Sequence, residues 1–362
     1  MLGLKDVNAS GAAGFPVRPP PHPPAGGSRV FDLPALEDAA RLAHAVFPPT
    51  PQYAWPLLAA RTGAEVWVKH ENHTPTGAFK VRGGLVYFER LARERPGLRG
   101  VVSATRGNHG QSLAFAGARA GIPVTILVPH GNSVEKNAAM RAQGAELIEH
   151  GEDFDAARTE AFRLAQERGL EFAPSFAPDL VRGVATYALE FFRAAPVLDA
   201  LYVPIGLGSG ICGCIAARDL LGLPTEIIGV QSTEADAYAL SFAAGEVIST
   251  TSANTRADGM ATRIPDRHAL EMIRGGLHPE APHYDVNGRP GAARIVTVTD
   301  EEVAAAIRAY WQDTHNLAEG AGAAPLAALL QEKARMRGRR VGVVLCGGNI
   351  DLELFRSWVL DV

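Results

Sequence analysis

Cysteine is scarce in this chain, with three in 362 residues: Cys212, Cys214 and Cys346. An odd, sparse set builds no disulfide framework and fits a reducing compartment. Cys212 and Cys214 form CxC rather than CxxC and have no histidine cluster near them, so a zinc site is not expected. Apolar runs are also short. None reaches the ~18 residues that a membrane span requires. The N-terminus lacks a charged start followed by an apolar stretch, so no signal peptide is expected and a cytoplasmic location is the default. Charge of one sign is lacking too. The net charge is −4, and the basic residues are scattered apart from Arg335, Arg337, Arg339 and Arg340, which read as a solvated helix end. Neither nucleic acid nor an anionic membrane is an expected partner.

What is present is a packed protein. Apolar residues make up 47% and charged residues 20% of the chain. A chain this long exceeds one comfortable core and predicts two domains. Residues 1–28 are rich in Gly, Ala and Pro and predict a disordered or extended arm. A helix of about ten residues opens at Asp32. FPPTPQYAWPLL (47–58) carries four prolines and reads as a loop or extended segment. Strands and helices then alternate. Strands are expected at 65–70, 100–104, 123–129 and 145–150, with helices near 79–94, 109–120, 133–142 and 154–168. A second series has strands at 200–205, 226–231, 294–299 and 341–346, with helices near 209–221, 300–314 and 322–336. Apolar strands flanked by helices predict parallel sheets covered on both faces. The expected division is a smaller α/β domain at 65–150 and a larger one from 29–64 plus 151–362.

Four strand ends carry chemistry. ENHTPTGAFKVRGG (71–84) turns at Thr74–Gly77 and starts a helix at Phe79-Lys80-Val81. Desolvation there would lower the Lys80 ammonium pKa and free the amine as nucleophile or base. Taken alone, the segment fits a snorkelling lysine beside a turn better. SATRGNHGQSLAFAGARAG (103–121) ends a strand and opens a helix, whose free N–H groups suit a carboxylate. Asn108 can donate or accept. A plain helix cap, with Asn108 and His109 serving only the turn, reads equally well. VPIGLGSGICG (203–213) offers Gly206, Gly208, Ser209 and Gly210 as a phosphate cradle. It also matches GxGxxG, which is weak alone. The next strand ends in Val230-Gln231-Ser232 without the acidic residue a dinucleotide needs, so a single phosphate is the better guest. VVLCGGNID (343–351) places Cys346 at a strand's C-terminal end, where open α/β sheets bind ligands. A buried thiol in a tight turn is the alternative. An amine, a carboxylate cradle, a phosphate cradle and a partner for a ring nitrogen outline a pyridoxal phosphate site.

In order and spacing these motifs strongly resemble the serine/threonine dehydratase family, of the tryptophan-synthase-β-like fold, over roughly residues 45–355. The implied fold is α/β: two open parallel-sheet, three-layer domains with the cofactor in the cleft between them. The resemblance implies pyridoxal 5'-phosphate held by Lys80 as a Schiff base, with Lys80 also the base at the substrate's Cα. Phe79 would pack near the ring and Asn108 would bond the ring's 3-hydroxyl. Gly206, Gly208, Ser209 and Gly210 would bind the phosphate, and Cys346 would face the pyridine nitrogen. Glu319 in AEGAGAA (318–324) and Gly259 in ADGMA (257–261) match cofactor-site positions. Thr105, with the N–H groups of Gly107, His109 and Gly110, would hold the substrate carboxylate. A homodimer is implied as well.

The implied reaction takes a 3-hydroxy-amino acid such as threonine or serine to a 2-oxo acid and ammonia. Alternatives are a bulkier or acidic substrate (β-phenylserine, 3-hydroxyaspartate), an amino-acid racemase or, least consistent, a nicotinamide oxidoreductase. Arg106 stands where eukaryotic serine racemases carry a serine acid/base. An arginine cannot take that role, so racemisation is disfavoured and Arg106 becomes a candidate for phosphate or an acidic substrate. Gln231 and Ala237 replace two expected carboxylates of a divalent-cation site, so no metal is expected. Tyr53 and Trp55 replace a plainer segment and read as packing rather than pocket lining. No C-terminal regulatory domain is expected after the cysteine motif, an expectation that suits a catabolic or substrate-specialised enzyme.

Overall fold

The computed structural model describes residues 31–275 and 291–360; the arm expected at 1–28 lies outside the described residues. Among the described residues there are ten strands: β1 (Gln52–Ala54), β2 (Glu65–His70), β3 (Val101–Ala104), β4 (Val124–Val128), β5 (Glu146–Glu149), β6 (Glu171–Phe172), β7 (Ala200–Pro204), β8 (Glu226–Ser232), β9 (Arg294–Val298) and β10 (Arg340–Leu345). They form a six-stranded sheet, β1-β2-β10-β7-β8-β9, and a four-stranded sheet, β5-β4-β3-β6. All pairs are parallel except β1 with β2. β3, β4 and β7 are buried at every residue. Their unbroken apolar runs reflect helices on both faces, which leave no polar side to alternate with. In the small sheet, one face packs Val101, Val124 and Ile126 against the helices Lys80–Glu94 and Asn108–Ala120. The other packs Val102 and Leu127 against Ala157, Ala161 and Leu164 of the helix Phe154–Arg168.

The expected boundary at 65 is corrected by the pairing. β2 runs in register with β10, with Val66 opposite Val341 and His70 opposite Leu345, inside the larger sheet. The chain leaves that sheet only after His70. Val81, Leu85 and Phe88 then join the smaller sheet's core, while Val66 and Val68 stay in the larger one. The smaller sheet also recruits β6, beyond 150, beside β3. The proline-rich segment 47–58 is likewise not all loop. It forms β1 and starts the helix Pro56–Thr62, where Pro56 occupies the first turn and needs no N–H partner.

One long helix was not expected from the sequence, Pro178–Ala194. It crosses the helix Lys80–Glu94 with almost no separation: a Cβ on Gly183 would lie 2.3 Å from the Arg82 carbonyl oxygen. Glycine there weakens helix propensity but permits the crossing. Beside it sits a buried charge cluster. Arg82, on the helix that Lys80 begins, donates to Glu71 through Nε and to Glu190 at 2.6 Å through one terminal nitrogen. Lys69 donates to Glu190 at 2.6 Å, and His44 contacts the same carboxylate at 2.8 Å. These charges tie β2, the first turn of the Lys80 helix and Pro178–Ala194 together.

Candidate active site

β2, β10 and β7 lie side by side and parallel, so their C-terminal ends open at one edge. β2 leads through residues 71–79 to Lys80. β10 ends at Leu345, between its neighbours, and Cys346 follows it. β7 leads into Gly206–Gly210. The Phe79 N–H donates to the Cys346 carbonyl at 2.9 Å, and the Gly348 N–H to Gly77 O at 2.9 Å, which stitches the lysine turn to the cysteine turn. The adjacency of these three motifs therefore follows from strand order.

Lys80 is the first residue of its helix. Its Nζ donates to Ser209 Oγ at 2.7 Å and lies 5.1 Å from the Phe79 ring centroid. Burial pushes the Lys80 amine down to about 8. Ser209 opens the helix Ser209–Leu220, and Gly208 before it has φ +98°, a left-handed conformation natural to glycine. The first-turn N–H groups of that helix have no intrahelical acceptor. Gly206 packs on Gly259, in the turn Asp258–Met260: a Cβ at 206 would lie 2.4 Å from the Gly259 carbonyl oxygen. Cys346 is buried, and burial drives its thiol well above the usual range, so it stays protonated.

Opposite lies the turn from β3 into Asn108–Ala120. Gly107 N–H donates to Thr105 Oγ1 at 3.1 Å, so it is already engaged. The open donors at this helix start are the N–H groups of Asn108, His109 and Gly110. The His109 ring is buried and stays neutral. Desolvation, then the nearby Lys80 charge, lower its pKa to about 3 despite the Pro174 carbonyl. Arg106 is exposed in the same turn.

Asn108 has a fixed orientation. Asn349 Nδ2 donates to the Thr76 carbonyl and to Asn108 Oδ1, both at 2.8 Å. A carbonyl only accepts, so the Asn349 amide cannot be flipped. Asn108 must therefore present its oxygen to Asn349 and its nitrogen to Glu319, whose Oε1 accepts at 2.7 Å. One Asn108 N–H remains. Glu319 Oε2 is buried without a hydrogen-bond partner, the Lys136 ammonium lying 4.0 Å away, and burial raises the Glu319 carboxyl above its usual range.

Residues 45–347 match the family described as pyridoxal-phosphate dependent enzyme. The chain belongs to that family. It is 34% identical over 297 residues to the L-threonine ammonia-lyase of Geobacter sulfurreducens, covering 82% of this chain and 70% of that protein. It is 32% identical over 311 residues to the L-threo-3-hydroxyaspartate ammonia-lyase of a Pseudomonas species, covering 85% and 92%. The structure of the processed form of threonine deaminase isoform 2 from Solanum lycopersicum is similar at TM-score 0.78 and 25% identity, covering 91% of this chain and 94% of that one. The family, α/β fold and cofactor class expected from the sequence are thereby borne out.

The geometry fits that cofactor. A spare Asn108 N–H, an orphaned Glu319 oxygen, a desolvated amine and two helix starts with open donors all converge where four strand ends meet. Sequence reasoning missed Asn349, although it stands inside the quoted GGNID. Only the three-dimensional contact with Asn108 gives it a task. Asn349→Ala frees the Asn108 amide to rotate and leaves its oxygen unpaired. Loss of one such buried hydrogen bond costs about 1–3 kcal/mol, so cofactor affinity should fall roughly tenfold, measured by fluorescence titration of apoprotein. At the sheet edge Tyr53 is 53% exposed with its ring 5.7 Å from that of Trp55, whose Nε1 donates to His70 Nε2 at 3.0 Å. Gln231 is also engaged, accepting from Ala239 N–H at 2.8 Å.

Proposed function

We propose that this chain is a pyridoxal-phosphate-dependent ammonia-lyase that dehydrates a 3-hydroxy-amino acid such as threonine or serine to a 2-oxo acid and ammonia. The observation that carries this reading is the Lys80 amine, desolvated and 2.7 Å from Ser209 at the head of a glycine-rich helix start. The names of the two relatives, a threonine and a hydroxyaspartate ammonia-lyase, support the reaction class. The bound cofactor supplies an electron sink for the substrate's Cα. Lys80 Nζ would hold the cofactor and take the Cα proton. The open N–H groups of Asn108, His109 and Gly110, together with Thr105, orient the substrate carboxylate. The Gly206–Gly210 loop and the Ser209 hydroxyl hold the phosphate. Asn108 gives its spare N–H to the ring oxygen, and Phe79 packs beside the ring. The neutral Cys346 thiol would face the ring nitrogen as a poor proton donor, which would moderate the electron sink and suit elimination of a β-substituent.

The lowered Lys80 pKa has a kinetic signature. Only the neutral amine attacks an aldehyde. Recombination of apoprotein with pyridoxal phosphate should therefore accelerate with rising pH and level off above about 8. An ordinary lysine would keep accelerating toward 10.5. Stopped-flow absorbance across pH 6 to 10 measures this, on an interval spanning roughly two units each side of the expected midpoint.

Arg106 favours a second substrate reading. It is a cation in the carboxylate-binding turn, and an acidic side chain such as that of 3-hydroxyaspartate would pair with it. A panel of threonine, serine, 3-hydroxyaspartate and phenylserine, assayed for 2-oxo acid and ammonia, decides between the readings. Failure of all four, with no visible absorbance after adding pyridoxal phosphate, would overturn the assignment. The reading also places the enzyme in the cytoplasm as a homodimer. All three cysteines are free, and among the described residues no helix is long and apolar enough to cross a membrane.

A further inference from the structure

We propose that Lys136 is a positioning residue of this site, joining the carboxylate-binding turn of the small sheet to Asp258 and Glu319 of the large one and so holding Asn108 where the cofactor ring must meet it. The proposal rests on the pyridoxal-phosphate reading and extends it to a residue that no motif marks. Lys136 belongs to the helix Val134–Ala142, which follows β4, and is almost wholly buried. Its stem lies along Gly107: a Cβ there would sit 2.6 Å from Lys136 Cδ. The turn 105–108 thus rests directly on the lysine side chain. The ammonium then crosses to the other sheet's residues. It donates to Asp258 Oδ2 and lies 4.0 Å from the unpartnered Glu319 Oε2.

A continuous series of polar contacts results: Asp258, Lys136, Glu319, Asn108, Asn349 and the Thr76 carbonyl. It spans the gap between the sheets and contains the amide proposed to meet the ring. Buried lysines are normally paired, and burial alone would lower the pKa of this one. Asp258 and Glu319 outweigh that effect and raise its pKa, so the charge is permanent at working pH. The groups acting on Glu319 are Lys136, which favours its anion, Asp258, which opposes it, and Asn108, which donates to it. Cys346 is also close enough to couple to Glu319. Without Lys136 the carboxyl would take up a proton and the turn would lose its support on one side.

The test uses the full-length holoenzyme with Lys136→Met, Lys136→Arg, Asp258→Asn and Glu319→Gln. Removing a buried charged hydrogen bond should weaken equilibrium binding of pyridoxal phosphate by about tenfold or more in Lys136→Met. It should also move the pH dependence of the bound cofactor's visible spectrum. Lys136→Arg keeps a cation and should restore affinity to within about threefold. In the Glu319→Gln background, Lys136→Met should leave the pH dependence of the spectrum unchanged, because the group through which it acts is gone. A spectrum and affinity unchanged in Lys136→Met would overturn the proposal. So would an undiminished pH shift in the Glu319→Gln background, or Lys136→Arg behaving like Lys136→Met. If Lys136→Met does not fold, Asp258→Asn decides by the same readouts: weaker binding supports the proposal and wild-type binding overturns it. A wild-type protein that stays colourless with pyridoxal phosphate refutes the cofactor reading itself. A coloured wild type with an indifferent lysine refutes this inference alone.

Discussion

Lys80→Ala should give a colourless protein with turnover reduced by about 10⁴-fold or more, because under the proposed function one substitution removes both the anchor and the proton acceptor. The fold should survive. The Lys80 side chain makes one hydrogen bond, to Ser209 Oγ, and loss of such a bond costs about 1 kcal/mol. Lys80→Arg sharpens the test. It keeps the positive charge and most of the volume, but a guanidinium stays protonated and cannot act as nucleophile or base. It should therefore be as inactive as alanine while melting close to wild type. Visible absorbance, 2-oxo acid release and a melting curve on the same three samples measure this. Colour and more than about one per cent of wild-type turnover in either variant would be incompatible with Lys80 as anchor and base.

Why Lys80 was legible in the sequence, and its neighbours less so, has a physical reason. Lys80, Asn108, the Gly206–Gly210 loop and Cys346 each lie on the turn or helix start that comes next after an apolar strand, Lys80 by way of residues 71–79. Local pattern thus locates them, and the geometry of parallel sheets brings strand ends together. Residues that act by reaching across are different. Asn349 and Lys136 touch partners more than a hundred residues away. Nothing in their own surroundings distinguishes a buried lysine from the exposed ones on other helices. β2 was assigned to the wrong sheet for the same reason. Its alternation with the following helix is correct locally, but its partner β10 lies at the far end of the chain. The helix Pro178–Ala194 carries polar residues at helical spacing, Asp179, Arg182, Thr186, Glu190 and Arg193, but Thr186 and Glu190 are buried against Arg82, so its polar side does not simply face solvent. Gly107 N–H, expected to serve a carboxylate, is taken by Thr105, a contact only coordinates reveal.

The largest stability effect is expected at Arg82→Met. Arg82 is fully buried and paired with Glu71 and Glu190. Methionine fills comparable space but leaves two buried carboxylates with only Lys69 and, when protonated, His44 as counter-charges. Breaking a buried pair in this way costs about 3–5 kcal/mol. At roughly 2 °C per kcal/mol for a chain of this size, Tm should fall by about 6–10 °C. Arg93→Met, at an exposed pair with Glu89 on the same helix, should melt like wild type. The pH dependence gives an independent check. Burial alone would raise the Glu190 carboxyl, but Arg82 and Lys69 outweigh it and hold it at about 2, below its ordinary 4.5. A depressed carboxylate stabilises the fold above the unfolded value and loses that contribution as pH falls toward the folded one. Wild-type Tm should therefore decline between pH 4.5 and 2. Without Arg82 the carboxyl titrates nearer its ordinary value, so the variant declines less. The Tm gap between the two proteins should narrow on acidification. A gap that stays constant would mean that Arg82 contributes through packing rather than charge. Lys80 begins the same helix two residues earlier, so the variant should also bind cofactor less tightly at neutral pH, and Arg82→Lys should only partly restore both properties because it cannot reach two carboxylates at once.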